Sequence, residues 1–262
     1  MSGTSLPVGA GTPAAPASWF QMTIALAAYE LRLVVRRGEG LLVTFVIPAG
    51  VLLVFSVFDT SGGTATAPPV DRLLPGSIAL AIIATSMVSL AISTGYERSY
   101  GVIKRLGGSP AGSSVVIAAK AAAVVVVELG QLVLLIGVAA GVLGWTAGPG
   151  ASVPLVLVAL VLGTLAFASL GLLMASTFRA EATLALANLL FLVALVLGGI
   201  VLPLDRLPAQ VEAVAHVLPA AALTASMGVG LSGVGNATGP MLVLAAWAVV
   251  LTVLAARRFR WD

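Results

Sequence analysis

SSVVIAAKAAAVVVVELGQLVLLIGVAAGVLGWTAGPGASVPLVLVALVLGTLAFASLGLLMASTF runs from residue 113 to 178, and Lys120 and Glu128 are its only charges. One membrane crossing takes roughly 20 apolar residues, or about 30 Å of helix. The stretch is too long for a single crossing. Gly144-Trp145-Thr146-Ala147-Gly148-Pro149-Gly150 supplies the turn. It divides the stretch into two expected spans, Ser113–Leu143 and Val153–Thr177.

The same pattern repeats on both sides. Leu41–Phe58 is 18 uncharged residues. Its Pro48 is tolerable in a membrane helix because neighbours satisfy the freed carbonyl. A polar loop, Asp59–Asp71, leads to a second span, Leu73–Gly95. After the minimal connection Phe178–Glu181 come a fifth span, Ala182–Leu202, and, near the end, a sixth, Met241–Ala256. Arg257 and Arg258 can snorkel at the end of the last one. The reading is an all-α integral membrane protein of six transmembrane helices. Composition agrees, since only 9% of the 262 residues are charged and 60% are apolar, against roughly 25% charged in soluble domains.

Three further segments complete the layout. Residues 1–17 are mostly Gly, Pro, Ser, Thr and Ala, and read as a disordered tail. Residues 18–40 place Trp19, Met22, Leu26, Tyr29 and Leu33 at helical spacing, with Arg32, Arg36 and Arg37 mostly on another arc. That is an amphipathic helix of the kind that lies in the membrane interface. Pro203–Gly239 holds two short segments, Leu207–Val217 and Ala220–Met227, each too short to cross. They read as short outer helices between spans five and six. Residues 41–262 then form one six-helix transmembrane domain.

Charge sets the expected topology. Six spans put both termini on one side. All but Arg72 and Arg206 of the 13 Lys and Arg fall on that side. The positive-inside rule makes it the cytoplasm, so the protein is expected to be multi-pass in the cell membrane with cytoplasmic N- and C-termini. The asymmetry explains the net charge of +3 through the lipid bilayer, with no nucleic acid partner.

Composition also removes chemistry. The chain has no Cys and a single His, His216, so thiolate and His-rich metal sites are excluded. No GxxxxGK[ST] occurs, hence no Walker site for a nucleotide in this chain. No nucleophile, base and metal ligand can be assembled into a membrane enzyme.

Chemistry therefore concentrates in two places. The first is the connection after span two, Tyr96-Glu97-Arg98-Ser99-Tyr100-Gly101-Val102-Ile103-Lys104-Arg105-Leu106-Gly107-Gly108-Ser109-Pro110. It fits either a partner's groove, with Ile103 and Leu106 as anchors, or a surface of anionic lipid. The second is span three. Glu128 is the only acid within a span, about 12 Å along the helix from Lys120, and Gln131 lies one turn on. An intramembrane acid marks either a substrate path or a Glu that locks helices together. Asn188 is a further polar candidate on span five. Gly137 and Gly141 form a GxxxG, a weak sign of close helix approach in a chain with 29 Gly.

The loop resembles the segment between the second and third membrane helices of ABC type-2 transporter permeases. The matching residues are Glu97-Arg98, Gly101, Ile103-Lys104-Arg105-Leu106 and Ser109-Pro110, with Lys120 at the start of the third helix. Tyr29-Glu30-Leu31 through Arg36-Arg37, Pro48, and Leu202–Pro208 with Leu218-Pro219 resemble the family in the same order. The family often has a second acid where Tyr100 stands and Thr where Val102 stands.

The resemblance implies the permease subunit of an ATP-driven exporter, paired with a second copy or a similar chain. Each permease rests on a separate ABC ATPase subunit. Glu97, Arg98, Gly101, Ile103, Lys104, Arg105, Leu106 and Pro110 would belong to the coupling helix seated in that ATPase. Arg32, Arg36 and Arg37 would flank the contact, and Glu128, Gln131 and Asn188 would line a pathway. ATP and Mg are expected on the partner, with no cofactor or metal on this chain. Hydrophobic or amphipathic cargo (a drug, lipid or lipid-linked polymer) suits the apolar spans. The alternatives are an ATP-independent transporter or channel, and a structural membrane anchor for a soluble partner.

Overall fold

The structure is a computed structural model and describes residues 17–36, 38–58, 68–102, 112–200 and 203–258. Residues 1–16 of the expected tail, Arg37, Ile103, Lys104, Arg105, Leu106 and Pro110 lie outside the described residues.

Every described element is helical. In chain order they are α1 (Trp19–Arg36), α2 (Gly38–Val57), α3 (Pro69–Ser99), α4 (Gly112–Val142), α5 (Val153–Thr177), α6 (Ala180–Leu197), α7 (Ala209–His216), α8 (Pro219–Ser232) and α9 (Thr238–Arg258). A single 3-10 turn, Leu204–Arg206, precedes α7. Among the described residues, five helices, α3, α4, α5, α6 and α9, are each long and apolar enough to cross a membrane. The expected first span is α2, whose apolar stretch Thr44–Val57 is shorter.

Proline and glycine set the boundaries. Pro69 and Pro219 open α3 and α8 in the first turn, where a missing N–H costs nothing. Ser152 caps α5, its hydroxyl accepting from the Leu155 N–H at 3.4 Å. The fifth span ends at Leu197 rather than Leu202, because the chain turns at Gly198 and at Gly199, whose φ is +65°.

α3 is the central helix. It is buried on nearly every side, including Leu73, Leu74, Ile78, Leu80, Ile82, Ile83 and Met87. α2, α4, α5, α6 and α8 all pack on it, while α9 lies along α5 and α1 along α4. The remaining faces are apolar and exposed, for example Val133 on α4, Leu192 on α6 and Val249 on α9. In a membrane helix such faces meet lipid.

Midway along α3, Ile83–Ser89 winds as a π-helix. A π turn leaves carbonyls without their usual partners. The Ser86 hydroxyl donates to the Ile82 carbonyl at 2.6 Å and satisfies one of them.

The outer segment differs from the sequence expectation in one respect. α8 runs on to Ser232, whereas the Gly-rich residues after Met227 read as loop. Glycine there serves packing. A Cβ on Gly230 would stand 2.7 Å from the Val156 side chain, so only glycine lets α8 approach α5. α7 and α8 meet at 77°, and α8 descends among α3, α5 and α9. The loop between α4 and α5 is zipped to its end: the Gly148 N–H donates to Leu231 O at 3.1 Å and the Ser152 N–H to Gly230 O at 2.8 Å.

Gly233 closes α8 with φ +70°, and its N–H donates to Val229 O at 2.8 Å. A Cβ there would lie 2.1 Å from the Gly150 carbonyl carbon. Gly137 and Gly141 have nothing within 4 Å of such a Cβ, so the GxxxG makes no close helix contact among the described residues. Gly233→Ala is therefore expected to lower stability in detergent by about 2 kcal/mol. Gly137→Ala is expected to lower it by less than about 0.5 kcal/mol. Thermal unfolding of the two variants side by side checks the contrast.

Candidate functional site

The charged residues at the base of the second-to-third connection converge. Lys120 lies two turns into α4 and is buried. Its ammonium donates to Glu97 Oε1 at 2.9 Å and to Glu30 Oε1 at 3.0 Å. Glu97 ends α3 and Glu30 stands on α1, so one cation ties three helices together. A buried ammonium is tolerated only when paired. The two carboxylates are about a fifth to a quarter exposed, which keeps them partly hydrated. Glu97 Oε2 is buried without a hydrogen-bond partner.

Arg98 turns the other way. Its guanidinium donates to Ser176 O at 2.6 Å and to Ala175 O at 3.2 Å. These carbonyls belong to the last turn of α5, where no intrahelical donor remains for them. The positive charge also meets the negative end of the α5 dipole. Adjacent residues thus brace α3 against α1 and α4 on one side and against α5 on the other.

Gly101 has a backbone reason to be glycine. Its φ is +68° and its N–H donates to Arg98 O at 3.0 Å, turning the chain out of α3. Tyr96 and Tyr100 stack beside the turn with ring centroids 6.2 Å apart. Arg32 and Arg36 are exposed on α1, whose Phe20 and Ile24 are exposed as well.

The sequence expected Glu97 and Arg98 as contacts for a partner. In the structure both side chains are engaged inside the chain. Glu97 reaches Lys120 of α4 and Arg98 reaches the last carbonyls of α5 because the end of α3 packs against both helices. In the sequence Glu30 stands out only within Tyr29-Glu30-Leu31 and carries no expected site role, although it is the one acid among the residues of α1.

Glu128 and Gln131 do share an inward face, and both are buried. Glu128 Oε2 is hydrogen-bonded to the Thr164 hydroxyl of α5. The Gln131 amide donates to Thr44 O of α2 at 3.1 Å and to the Thr85 hydroxyl in the π segment at 3.0 Å. The two side chains form a polar seam across α2, α3, α4 and α5. Asn188 is not part of it. It is exposed at the middle of α6, its amide donating to Leu184 O at 3.0 Å, on a surface shared with Ile47, Pro48, Ala84 and Val88. His216 is exposed and lies 3.6 Å from Glu212. Among the described residues, no three His, Asp or Glu come together as a metal site.

The family described as ABC-2 type transporter matches residues 21–230. That match runs from α1 to the end of α8 and carries the Glu30–Glu97–Lys120 node, the loop and the polar seam. The chain belongs to the ABC-2 type transporter family, and is a multi-pass membrane permease subunit of an ABC transporter. No curated protein matches it.

Lys120→Met would leave Glu30 and Glu97 without their cation. It is expected to lower stability by about 3 kcal/mol, with Lys120→Arg recovering most of the loss. In the seam, Thr164→Val removes the hydroxyl bonded to Glu128 and is expected to cost about 1 kcal/mol. Glu128→Gln keeps a donor and an acceptor and is expected to be near neutral. Thermal unfolding in one detergent ranks all four.

Proposed function

We propose that this permease is the membrane half of an exporter that moves a hydrophobic or amphipathic substrate outward from the cytoplasm or inner leaflet. Two copies, or this chain and a similar one, form the pathway between them. Each rests on a separate ATPase subunit, which binds and hydrolyses ATP with Mg. The connection Glu97–Pro110 and the basic end of α1 face that ATPase from the cytoplasm, in the cell membrane.

The observation that carries this reading is the bracing at Glu97 and Arg98. A loop that docks on a motor can do work only if its base is rigid. Lys120 and the end of α5 supply that rigidity, because they join the loop's base to α1, α4 and α5 at once. ATP closes the ATPase pair and displaces the loop. The braced helices then move as one body, and the free energy supplied is the difference in ATPase contact between the two membrane states. The anchoring residues of the contact are Ile103 and Leu106, with Lys104 and Arg105 at its rim.

Asn188 supports a second copy. A polar side chain exposed at mid-span faces hydrocarbon only at a cost, which a neighbouring copy or a wet pathway removes. The surrounding α2 and α6 faces are apolar and exposed, including Ile47, Val54, Leu189 and Leu192.

Two measurements test the proposal. Co-expressed with its ATPase and reconstituted in vesicles, Arg98→Ala is expected to retain ATPase binding while losing transport and substrate-stimulated ATP hydrolysis together. Retention of both activities would remove the coupling role. The chain has no Cys, so Asn188→Cys is a clean reporter. It is expected to cross-link to its counterpart in a second copy with a short bis-maleimide, and absence of dimer would refute the α2/α6 interface.

A further inference from the structure

A crevice of about 410 Å³ lies where α5, α6 and α9 come together at the Arg258 end of the bundle. α6 and α9 each pack on α5 but not closely on one another, and the crevice is the gap between them. Its walls include Leu170 and Met174 of α5, Leu186 and Leu190 of α6, and Leu254 of α9. Phe178 and Arg258 stand at its end. Leu254 and Phe178 are exposed, so the crevice opens sideways between membrane helices, onto lipid.

One charge in the lining names the occupant. Arg258 is exposed, and no acid lines the crevice beside it. Among the described residues Arg258 belongs to no ion pair. An apolar slot with an unmatched guanidinium at its mouth is complementary to an anion carried on a hydrocarbon chain. Arginine binds the oxygens of such an anion in bidentate fashion. Arg257 does not line the crevice, because successive helix residues point about 100° apart.

Depth narrows the anion further. α9 has 21 residues, about 31 Å of helix, which is the thickness of the hydrocarbon. Arg258 is its last residue, and the long side chain carries its charge to head-group level. That is the level of a phosphodiester. Leu186 and Leu190 lie about 9 and 15 Å into α6 from Ala180. The slot therefore runs from the phosphate level to the bilayer mid-plane, the reach of one acyl chain. A zwitterionic head group brings a cation of its own, whereas an anionic one leaves its charge for Arg258.

We propose that this crevice binds one anionic phospholipid of the adjacent leaflet. The phosphate sits on Arg258, and one acyl chain lies between α5, α6 and α9 as far as Leu190. Asn188 is about 200° round α6 from Leu186, so the lipid occupies the side of α6 turned away from the contact proposed between copies. The site rests on the membrane fold and not on the direction of transport.

The test uses the full chain in phosphatidylcholine nanodiscs doped with phosphatidylglycerol that carries a diazirine on one acyl chain. Labelled peptides are mapped by mass spectrometry. Labelling is expected on α6 around Leu186–Leu190 and on α9 around Leu254. Arg258→Gln is expected to reduce it about tenfold, the worth of one charge-assisted contact. Arg258→Lys, which keeps the charge, is expected to retain most of it. Arg257→Gln, one residue away and outside the crevice, is expected to change it less than about twofold. Leu254→Trp fills the slot from its exposed wall and is expected to reduce labelling about fivefold. Phosphatidylcholine bearing the same diazirine is expected to label these peptides weakly, and excess free oleate is expected not to compete. Equal loss in Arg257→Gln and Arg258→Gln would show diffuse attraction to a basic surface and overturn the site. So would labelling indifferent to Leu254→Trp in folded protein, or equal labelling by the two phospholipids. Displacement by oleate would overturn the phospholipid as occupant.

Discussion

Lys120 is buried about 12 Å along α4 from Gly112, and a buried ammonium is tolerated only when paired. The cost fixes much of the Lys120 end of the bundle. Two carboxylates must come to the charge, and they come from different elements, Glu30 on α1 and Glu97 on α3. α1 is thereby held along α4, and the end of α3 is held beside both. The cluster carries one more negative than positive charge, and its carboxylates keep partial access to water. Such a cluster is strong enough to hold helices together, yet it is not sealed like a core. It sits at the end of α3, where the connection to α4 begins.

The spans were legible because hydrocarbon imposes a simple rule. Backbone must be helical and side chains apolar over a fixed length. Val153–Thr177 could be read directly, bounded by Ser152-Val153-Pro154 at one end and Phe178-Arg179 at the other. Glu128 and Gln131 could be placed on one face from their spacing alone. The Lys120 node could not, because its partners lie 90 and 23 residues away in sequence. Charges in a loop look the same whether they face a partner or fold back. Arg98 illustrates this, since its acceptors are backbone carbonyls that leave no trace in composition.

Glycine was the least legible residue. The GxxxG at Gly137 and Gly141 fits a motif, yet among the described residues no helix stands close to it. Gly171 belongs to no motif, and a Cβ there would stand 2.8 Å from Met87 O in the π segment. Close approach depends on which helix lies opposite, a tertiary fact. The same holds for the Gly-rich end of α8. It reads as loop by composition and is helix because Val156 and the Gly148–Gly150 turn need a surface without side chains.

These constraints make α3 the mechanical axis of the chain. At one end it is braced through Glu97 and Arg98. At the other, Gly76 lies against the Ile200 backbone, and a Cβ there would be 2.7 Å from Ile200 O. α8 packs beside that end, with Gly228 near Pro75. Along its described length α3 is closely packed and regular, with one exception. The π segment Ile83–Ser89 has a looser hydrogen-bond ladder than the α-helix around it, and it is where Gln131 grips α3 through Thr85. The polar seam thus crosses α3 at its most compliant turn. A Gln that bridges Thr44 of α2 and Thr85 of α3 keeps that turn registered with its neighbours.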